Sequence, residues 1–245
     1  MSVPKPVASR AGNLIEMIGG TQVDVITWLS GEQLGETGKD LSIKNSVSVF
    51  RLLGAEMAKL HIASDAWQKP SGFQRCEWDR AGLLGDDPLW GRFWENPTLK
   101  AEKRDMFVDF RKAANHRLAQ VEAELDYGLI HADLVRENIL DHDDQLSLID
   151  FDDGGYGFRL FEIATSLFKN IDEPNFDALK SSLIEGYHDI RELDLELLDL
   201  FMAIRAATYV GWIVPRLREP GATVRNERFV RNASKLCRHY LDSKR

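Results

Sequence analysis

Three polar side chains of the stretch Leu129 to Phe151 stand within a frame of short apolar runs, at a spacing that suits phosphoryl transfer. Asp133 lies two residues after His131, Asn138 follows by five, and Asp150 arrives twelve residues later. Ile139 and Leu140, then Leu146, Leu148 and Ile149, read as two short strands, with the polar stretch 141–145 as the turn between them. Such a hairpin sets Asn138 beside Asp150, with Asp133 on the loop just ahead. One carboxylate and one amide oxygen form a ligand pair for a hard cation such as Mg²⁺, which fills its other positions with water and phosphate oxygens. A second carboxylate alongside can accept the proton of an attacking hydroxyl.

The motif His-x-Asp-x-x-x-x-Asn, His131 to Asn138, followed by Ile149-Asp150-Phe151-Asp152, resembles the catalytic and metal-binding motifs of the aminoglycoside phosphotransferase and choline kinase-like family. The continuation from Phe151 to Ala164 is similar to the segment after the metal aspartate in homoserine kinase type II-like and hydroxylysine kinase-like members. The resemblance implies a protein kinase-like α+β fold and ATP- and Mg²⁺-dependent transfer to the hydroxyl of a small metabolite, an amino acid or amino alcohol among them. It implies Asp133 as catalytic base, Asn138 and Asp150 as metal ligands, and His131 as a hydrogen-bonding support for the loop. It also implies that the strand ending at Thr27, Trp28 and Leu29 leads to a hinge where backbone meets adenine. The side chains alone fit a core strand ending in a turn equally well.

Competing chemistries are weaker on the residues present. His131 with His142 has no ligand spacing for zinc, and a hydrolase built on His131, Asp133 and Asp150 lacks a second histidine. The run from Asp141 to Gln145 lacks the glycine and glutamate of a calcium loop. Asp152 and Asp153 are candidates to meet a substrate amine, to brace the metal site, or only to solvate the bend at Gly154-Gly155.

Elements to hold these residues can be read from the pattern. Residues 1–11 read as an irregular arm. Leu14–Ile18 and Val23–Leu29 read as strands around Gly19-Gly20. Asn45 caps a helix over 46–63, with His61 at its end bonded to backbone. Trp67, Phe73, Trp78, Trp90, Phe93 and Trp94 crowd the loop-rich stretch 64–96, as packing or as a cation pocket, with short helices near 79–84 and 88–95. Asn96-Pro97 opens a long helix to Asp126, which Gly128 ends. Helices at 159–170, 175–190, 194–214 and 223–242 complete the chain, with Pro215 as a stop. The glycines of 31–40 form no phosphate loop, since Gly38-Lys39 is followed by Asp40 where a hydroxyl residue is needed.

The 245 residues are 44% hydrophobic, enough for a substantial core. A net charge of −8 argues against nucleic acid as a partner. Cys76 and Cys237 read as free thiols in a reducing cytoplasm. The first residues lack the apolar core of a signal peptide. Leu195–Val214, the best candidate for a membrane span, is interrupted by Glu196, Asp199 and Arg205.

Members of the resembled family begin with more strands, a nucleotide-covering loop and a lysine that contacts phosphate. Here Lys5, Lys39 and Lys44 precede the first helix, and none lies in an apolar strand. The expected organisation is a residual N-terminal β-hairpin with its hinge over 1–30 and a mostly helical C-terminal lobe over 31–245. Exposed apolar surface would then favour a homo-oligomer. The alternative function is a kinase-like nucleotide-binding or regulatory module without catalysis.

Overall fold

The computed structural model describes residues 1–36, 38–143 and 145–243. Strands β1 (Ile15–Ile18) and β2 (Thr21–Asp24) form an antiparallel hairpin. Gly19 and Gly20 both have positive φ, 58° and 85°, as a two-residue type I′ turn requires. The second strand is shorter than the expected 23–29, because the chain beyond Asp24 pairs with the N-terminal arm. The Val7 amide bonds the Val25 carbonyl at 2.7 Å, and the Thr27 amide bonds the Lys5 carbonyl at 2.9 Å. The arm is therefore ordered by backbone pairing where sequence suggested irregular chain. Much of the hairpin faces solvent, including Ile15, Met17 and Ile18.

The chain continues through β3 (Glu32–Gln33), α1 (Ser46–Ala66), β4 (Glu77–Trp78), α2 (Arg80–Leu84), α3 (Ala101–Val121), β5 (Tyr127–Ile130), β6 (Ile139–His142), β7 (Gln145–Leu148), β8 (Gly155–Phe158), α4 (Arg159–Phe168), α5 (Phe176–His188), α6 (Leu198–Trp212) and α7 (Ala222–Asp242). One antiparallel sheet has the order β3-β6-β7; a mixed sheet has the order β4-β8-β5, with β4 parallel to β8. This is an α+β chain dominated by helices.

The β6-β7 pairing runs from Ile139↔Leu148 to His142↔Gln145, so the turn is tighter than the expected stretch 141–145. Gly128 does not end a helix; it lies within β5, where a Cβ would collide with the guanidinium of Arg159. The expected bend at Gly154-Gly155 falls one step earlier, with the Gly154 amide closing a turn onto the Phe151 carbonyl; Gly155 and Gly157 lie in β8, which passes so close to Cys76 and Ile130 that neither position has room for a side chain.

Asn96 also departs from expectation. The long helix begins only at Ala101, and Asn96 is buried ahead of it. Its Oδ1 accepts from the Thr98 amide at 3.0 Å, while its Nδ2 donates to the Val210 carbonyl at 2.8 Å and to Asn226 at 2.9 Å. It thus fastens the approach to α3 onto α6 and α7. Asn45 sits in the left-handed region, φ 55°, and its side chain makes no capping bond. Pro215 lies in a 3₁₀ turn, Val214–Arg216, directly after α6.

The core lies between the helices. α1 crosses α5 at Gly54 and Gly186, each pressed against the backbone of the other helix. Phe50, Leu53 and Met57 of α1 and Leu179, Leu183 and Tyr187 of α5 are buried there. Of the aromatic stretch, Trp78, Phe93 and Trp94 are core, whereas Trp67 and Phe73 pair edge-to-face at 4.9 Å nearer the surface. Leu198–Arg216 is long and apolar enough to cross a membrane by composition, but 78% of that window is buried inside the fold. Cys76 and Cys237 are both free thiols.

Candidate active site

The loop from His131 to Asn138 is fastened along one face of α4. Glu162 accepts the His131 amide on Oε2 at 2.7 Å and the Ala132 amide on Oε1 at 2.9 Å. One turn further, the Ser166 hydroxyl donates to the Leu134 carbonyl at 2.6 Å. One turn beyond that, Asn170 Oδ1 accepts from Arg136 Nε at 2.7 Å. The first two anchors are spaced i, i+4 on one face of α4, and Asn170, in the turn just past the end of the helix, extends the same line. The fastening is needed because Ala132 has φ 65°, a left-handed value that a side chain resists.

Glu162 is fully buried. Burial pushes its carboxyl up, but the hydrogen bond and charge of His61 and the backbone amide of His131 outweigh this and hold it below the ordinary carboxylate range. His61 lies inside α1 rather than at its end, and its ring bonds side chains rather than backbone. Its Nδ1 is 2.7 Å from the Tyr187 hydroxyl and its Nε2 3.3 Å from Glu162. Burial keeps the His61 imidazole below its usual value, against the pull of Glu162. His131 supports the loop from within: its Nε2 bonds the Ile149 carbonyl at 2.9 Å, and its ring packs 4.4 Å from that of Phe151.

Asp133 projects from this fastened loop with both carboxylate oxygens engaged. Oδ1 accepts from Arg205 Nη2 at 3.0 Å, and Oδ2 accepts from Asn138 Nδ2 at 3.1 Å. Asn138 Nδ2 also donates to the Asp133 carbonyl at 2.9 Å. Both acceptors are oxygens, which fixes the amide orientation and leaves Asn138 Oδ1 as a lone-pair donor. The Ile149 amide bonds the Asn138 carbonyl at 3.0 Å, bringing the exit of β7 beside Asn138. Asp150 follows with φ 64°, and its exposed carboxylate has no protein hydrogen-bond partner among the described residues. A non-glycine residue held there is strained by about 1–3 kcal/mol, a cost found at functional positions.

These donors fit a hard cation. One amide oxygen and one unpartnered carboxylate are a usual protein share for Mg²⁺, which keeps its other positions for water and phosphate. No cluster of three His, Cys, Asp or Glu able to hold a metal occurs among the described residues. His131 is buried with its Nε2 on the Ile149 carbonyl, while His142 lies exposed at the end of β6.

Asp153 belongs to the same field. Burial and the charge of Asp133 raise its carboxyl, Arg205 opposes, and Asp150 and Asp152 add to the rise. It lines a cavity of about 570 Å³ walled by Trp90, Trp212 and Arg216. The segment 27–29, expected to meet adenine, is bonded to the N-terminal arm. The Thr27 amide is taken by Lys5 and Trp28 is 95% exposed. The segment placed against the site is the next one: Gln33 Nε2 donates to the Glu137 carbonyl at 2.8 Å, and the Leu34 amide to the Ile139 carbonyl at 3.0 Å.

Residues 1–199 match the phosphotransferase enzyme family. The chain belongs to this family. Among curated relatives, a homoserine kinase of Gluconobacter oxydans (strain 621H) is 26% identical over 205 residues, covering 79% of this chain and 58% of that one. A homoserine kinase of Bartonella henselae is 27% identical over 237 residues, covering 90% and 67%. The chain thus spans little more than half of the first relative's length. Among solved structures, a microcompartment-associated aminopropanol kinase is 26% identical with a TM-score of 0.81, covering 99% of this chain and 76% of that one. The protein kinase-like α+β fold expected from the sequence is the fold that this phosphotransferase family member has.

Sequence reasoning missed Glu162, Ser166, Asn170 and Arg205. The first three carried a signal, since polar residues at four-residue intervals on an apolar helix mark a face that meets something polar. Arg205 carried one too: a lone cation within the apolar run 198–212 needs a buried partner.

Proposed function

We propose that the chain is an ATP- and Mg²⁺-dependent kinase that phosphorylates the hydroxyl of a small metabolite, an amino acid or an amino alcohol. One observation carries this reading: Asp133 is fixed through both oxygens beside Asn138, and Asp150 stands unpartnered on the adjoining strand exit. Asp133 retains lone pairs for an incoming hydroxyl, so it orients that group and accepts its proton. Asn138 and Asp150 are the residues that would hold Mg²⁺, which neutralises phosphate charge when bound. Phosphoryl transfer depends on positioning and charge, and the fastening to α4 supplies the positioning.

The relatives named above act on homoserine and aminopropanol by name, and both molecules carry an amine and a hydroxyl. A half-buried Asp153 in a cavity walled by Trp90 and Trp212 is suited to an ammonium group. The backbone of 27–29 remains our assignment for adenine.

The test is a coupled transfer assay with Mg-ATP over homoserine, aminopropanol and related hydroxylated amines. Asp133→Ala should lower transfer by roughly 10²–10⁴-fold while leaving Mg-nucleotide binding intact. Turnover in that variant equal to wild type would exclude Asp133 as base. Tight Mg-ATP binding by the wild type with no transfer to any acceptor would favour the binding-module reading.

A further inference from the structure

A second cavity, of about 440 Å³, opens between the end of α4 and α7. Phe168 and Phe229 line it, and the buried Tyr209 ring is stacked behind both: it lies 4.9 Å from Phe229 with planes 21° apart, and 5.4 Å from Phe168 at 20°. Lys169 Nζ sits 4.1 Å from the centre of the Tyr209 ring and 5.7 Å from that of Phe229. The Arg228 guanidinium lies 5.5 Å from the same Phe229 ring and presses on Gly38.

The charges lining this cavity do not balance: five cations, Lys39, Arg136, Lys169, Arg228 and Arg231, face three carboxylates, Asp40, Asp172 and Glu173. Arg136 pairs with Glu173, and Arg231 pairs with Asp172 at 3.8 Å. Lys39 pairs with Glu36 at 2.5 Å. Lys169 and Arg228 make neither an ion pair nor a hydrogen bond among the described residues; their contacts are with the rings. A cation withdrawn from water without an anion is costly, and a fold that keeps two in one concavity is prepared for an anion. Burial brings the Lys169 ammonium down to about 8, with Glu137 and Asp133 opposing and Arg205 and Arg228 adding to the fall. It therefore still carries its charge at neutral pH.

The cavity is joined to the transfer centre. The Tyr209 hydroxyl lies 2.9 Å from Arg205 Nη2, and that same nitrogen donates to Asp133. One side chain separates the aromatic lining from the guanidinium that holds the candidate base.

We infer that this cavity is an anion subsite, in which Lys169 and Arg228 bind the carboxylate or phosphate group of a small molecule held next to the transfer centre. Arg228 offers a planar fork and Lys169 a point charge, the two usual partners of these groups. For the acceptor, the inference rests on the kinase reading and sharpens it. Amino acids have the anion this subsite needs, and amino alcohols do not.

The experiment is calorimetric titration of the full chain with inorganic phosphate, with L-homoserine, and with homoserinol, in which an alcohol replaces the carboxylate. Phosphate is expected to bind the wild type. Its affinity should fall at least tenfold in Lys169→Met and in Arg228→Gln, and hold within about threefold in Lys169→Arg, since charge rather than shape is recognised. A preference for homoserine over homoserinol that disappears in the same two variants assigns the subsite to the acceptor's carboxylate. Phosphate binding without that preference assigns it to a phosphate group. Failure of the wild type to bind phosphate or homoserine overturns the subsite. So does unchanged affinity in both charge-removing variants, with circular dichroism confirming their fold. These readouts need no turnover, so the kinase reading stands or falls separately on Asp133→Ala.

Discussion

Arg205 reaches from the middle of α6 to place Nη2 3.0 Å from Oδ1 of Asp133. The guanidinium is fully buried between the rings of Trp90 at 4.3 Å, Tyr209 at 4.5 Å and Phe161 at 5.1 Å, with Nε and Nη1 lacking hydrogen-bond partners. Its orientation is therefore set by packing and by two acceptors of Nη2, the Asp133 carboxylate and the Tyr209 hydroxyl. Arg205→Met keeps most of the volume and removes the donor. We expect kcat to fall about 10²–10³-fold, as when a positioned donor is lost at a reacting centre. The KM for ATP should stay within about twofold, because the nucleotide ligands are untouched. Steady-state kinetics on both substrates checks this, and a rise in the KM for ATP alone would contradict it.

Glu162 offers one carboxylate oxygen to each of two consecutive amides. Glu162→Gln presents one oxygen and one N–H₂ group to those donors, leaving an amide facing a donor in a buried place. Such a mismatch costs about 2 kcal/mol. In a chain of this size that should lower Tm by roughly 4–8 °C, and Ala132 should lose protection from hydrogen exchange.

Acid should loosen the same cluster. His61 is held below its usual value by burial, so the unfolded chain takes up the proton first. Its contribution to stability is present above about pH 6.5 and is lost as pH falls through that region. Glu162, held below the usual carboxylate range, adds a second loss below about pH 4.3. Tm should therefore decline from pH 7 to pH 5 in the wild type. A slope as steep in His61→Gln would place its origin elsewhere.

Asp150→Asn removes the unpartnered carboxylate beside Asn138. Affinity for Mg-ATP should drop at least tenfold, while affinity for metal-free ATP should change little or improve, since a negative charge beside the phosphates is gone. Parallel titrations with and without Mg²⁺ separate these outcomes. An equal loss in both would make Asp150 a structural residue.

Phosphate binding should weaken as pH rises. Lys169 faces Glu137 and Asp133, which favour its charge, and Arg205 and Arg228, which oppose it. Above about 8, the value burial gives it, the ammonium is progressively lost. Affinity for phosphate should then fall by up to about tenfold per pH unit, and Lys169→Arg should flatten the profile. A flat wild-type profile between pH 7 and pH 10 would remove Lys169 from the subsite.

The parts of this molecule legible in its sequence are those whose partners are close in the chain. Asp133 and Asn138 are five residues apart, and the β6-β7 pairing follows from apolar runs either side of a polar turn. The helices from Arg159 onward were marked by their period, with ends within a few residues of those observed. What lay hidden was set by distant partners. Arg205 meets Asp133 across 72 residues. The glycines of β5 and β8 looked like punctuation, because the crowding that requires them comes from Arg159, Cys76 and Ile130. Asn96 had the right neighbours for a helix cap, but Val210 and Asn226 claimed its amide.

The fastening of the loop at Glu162 and Ser166 of α4, and at Asn170 just past its end, makes that helix a ruler as well as a support. One extra residue inserted between Glu162 and Asn170 would rotate everything downstream by about 100° and swing the Asn170 amide away from Arg136. The loop would keep its first peg and lose its last. The permitted length between Ala132 and Arg136 is thus dictated by the pitch of another element, and this loop can change in chemistry far more readily than in residue count.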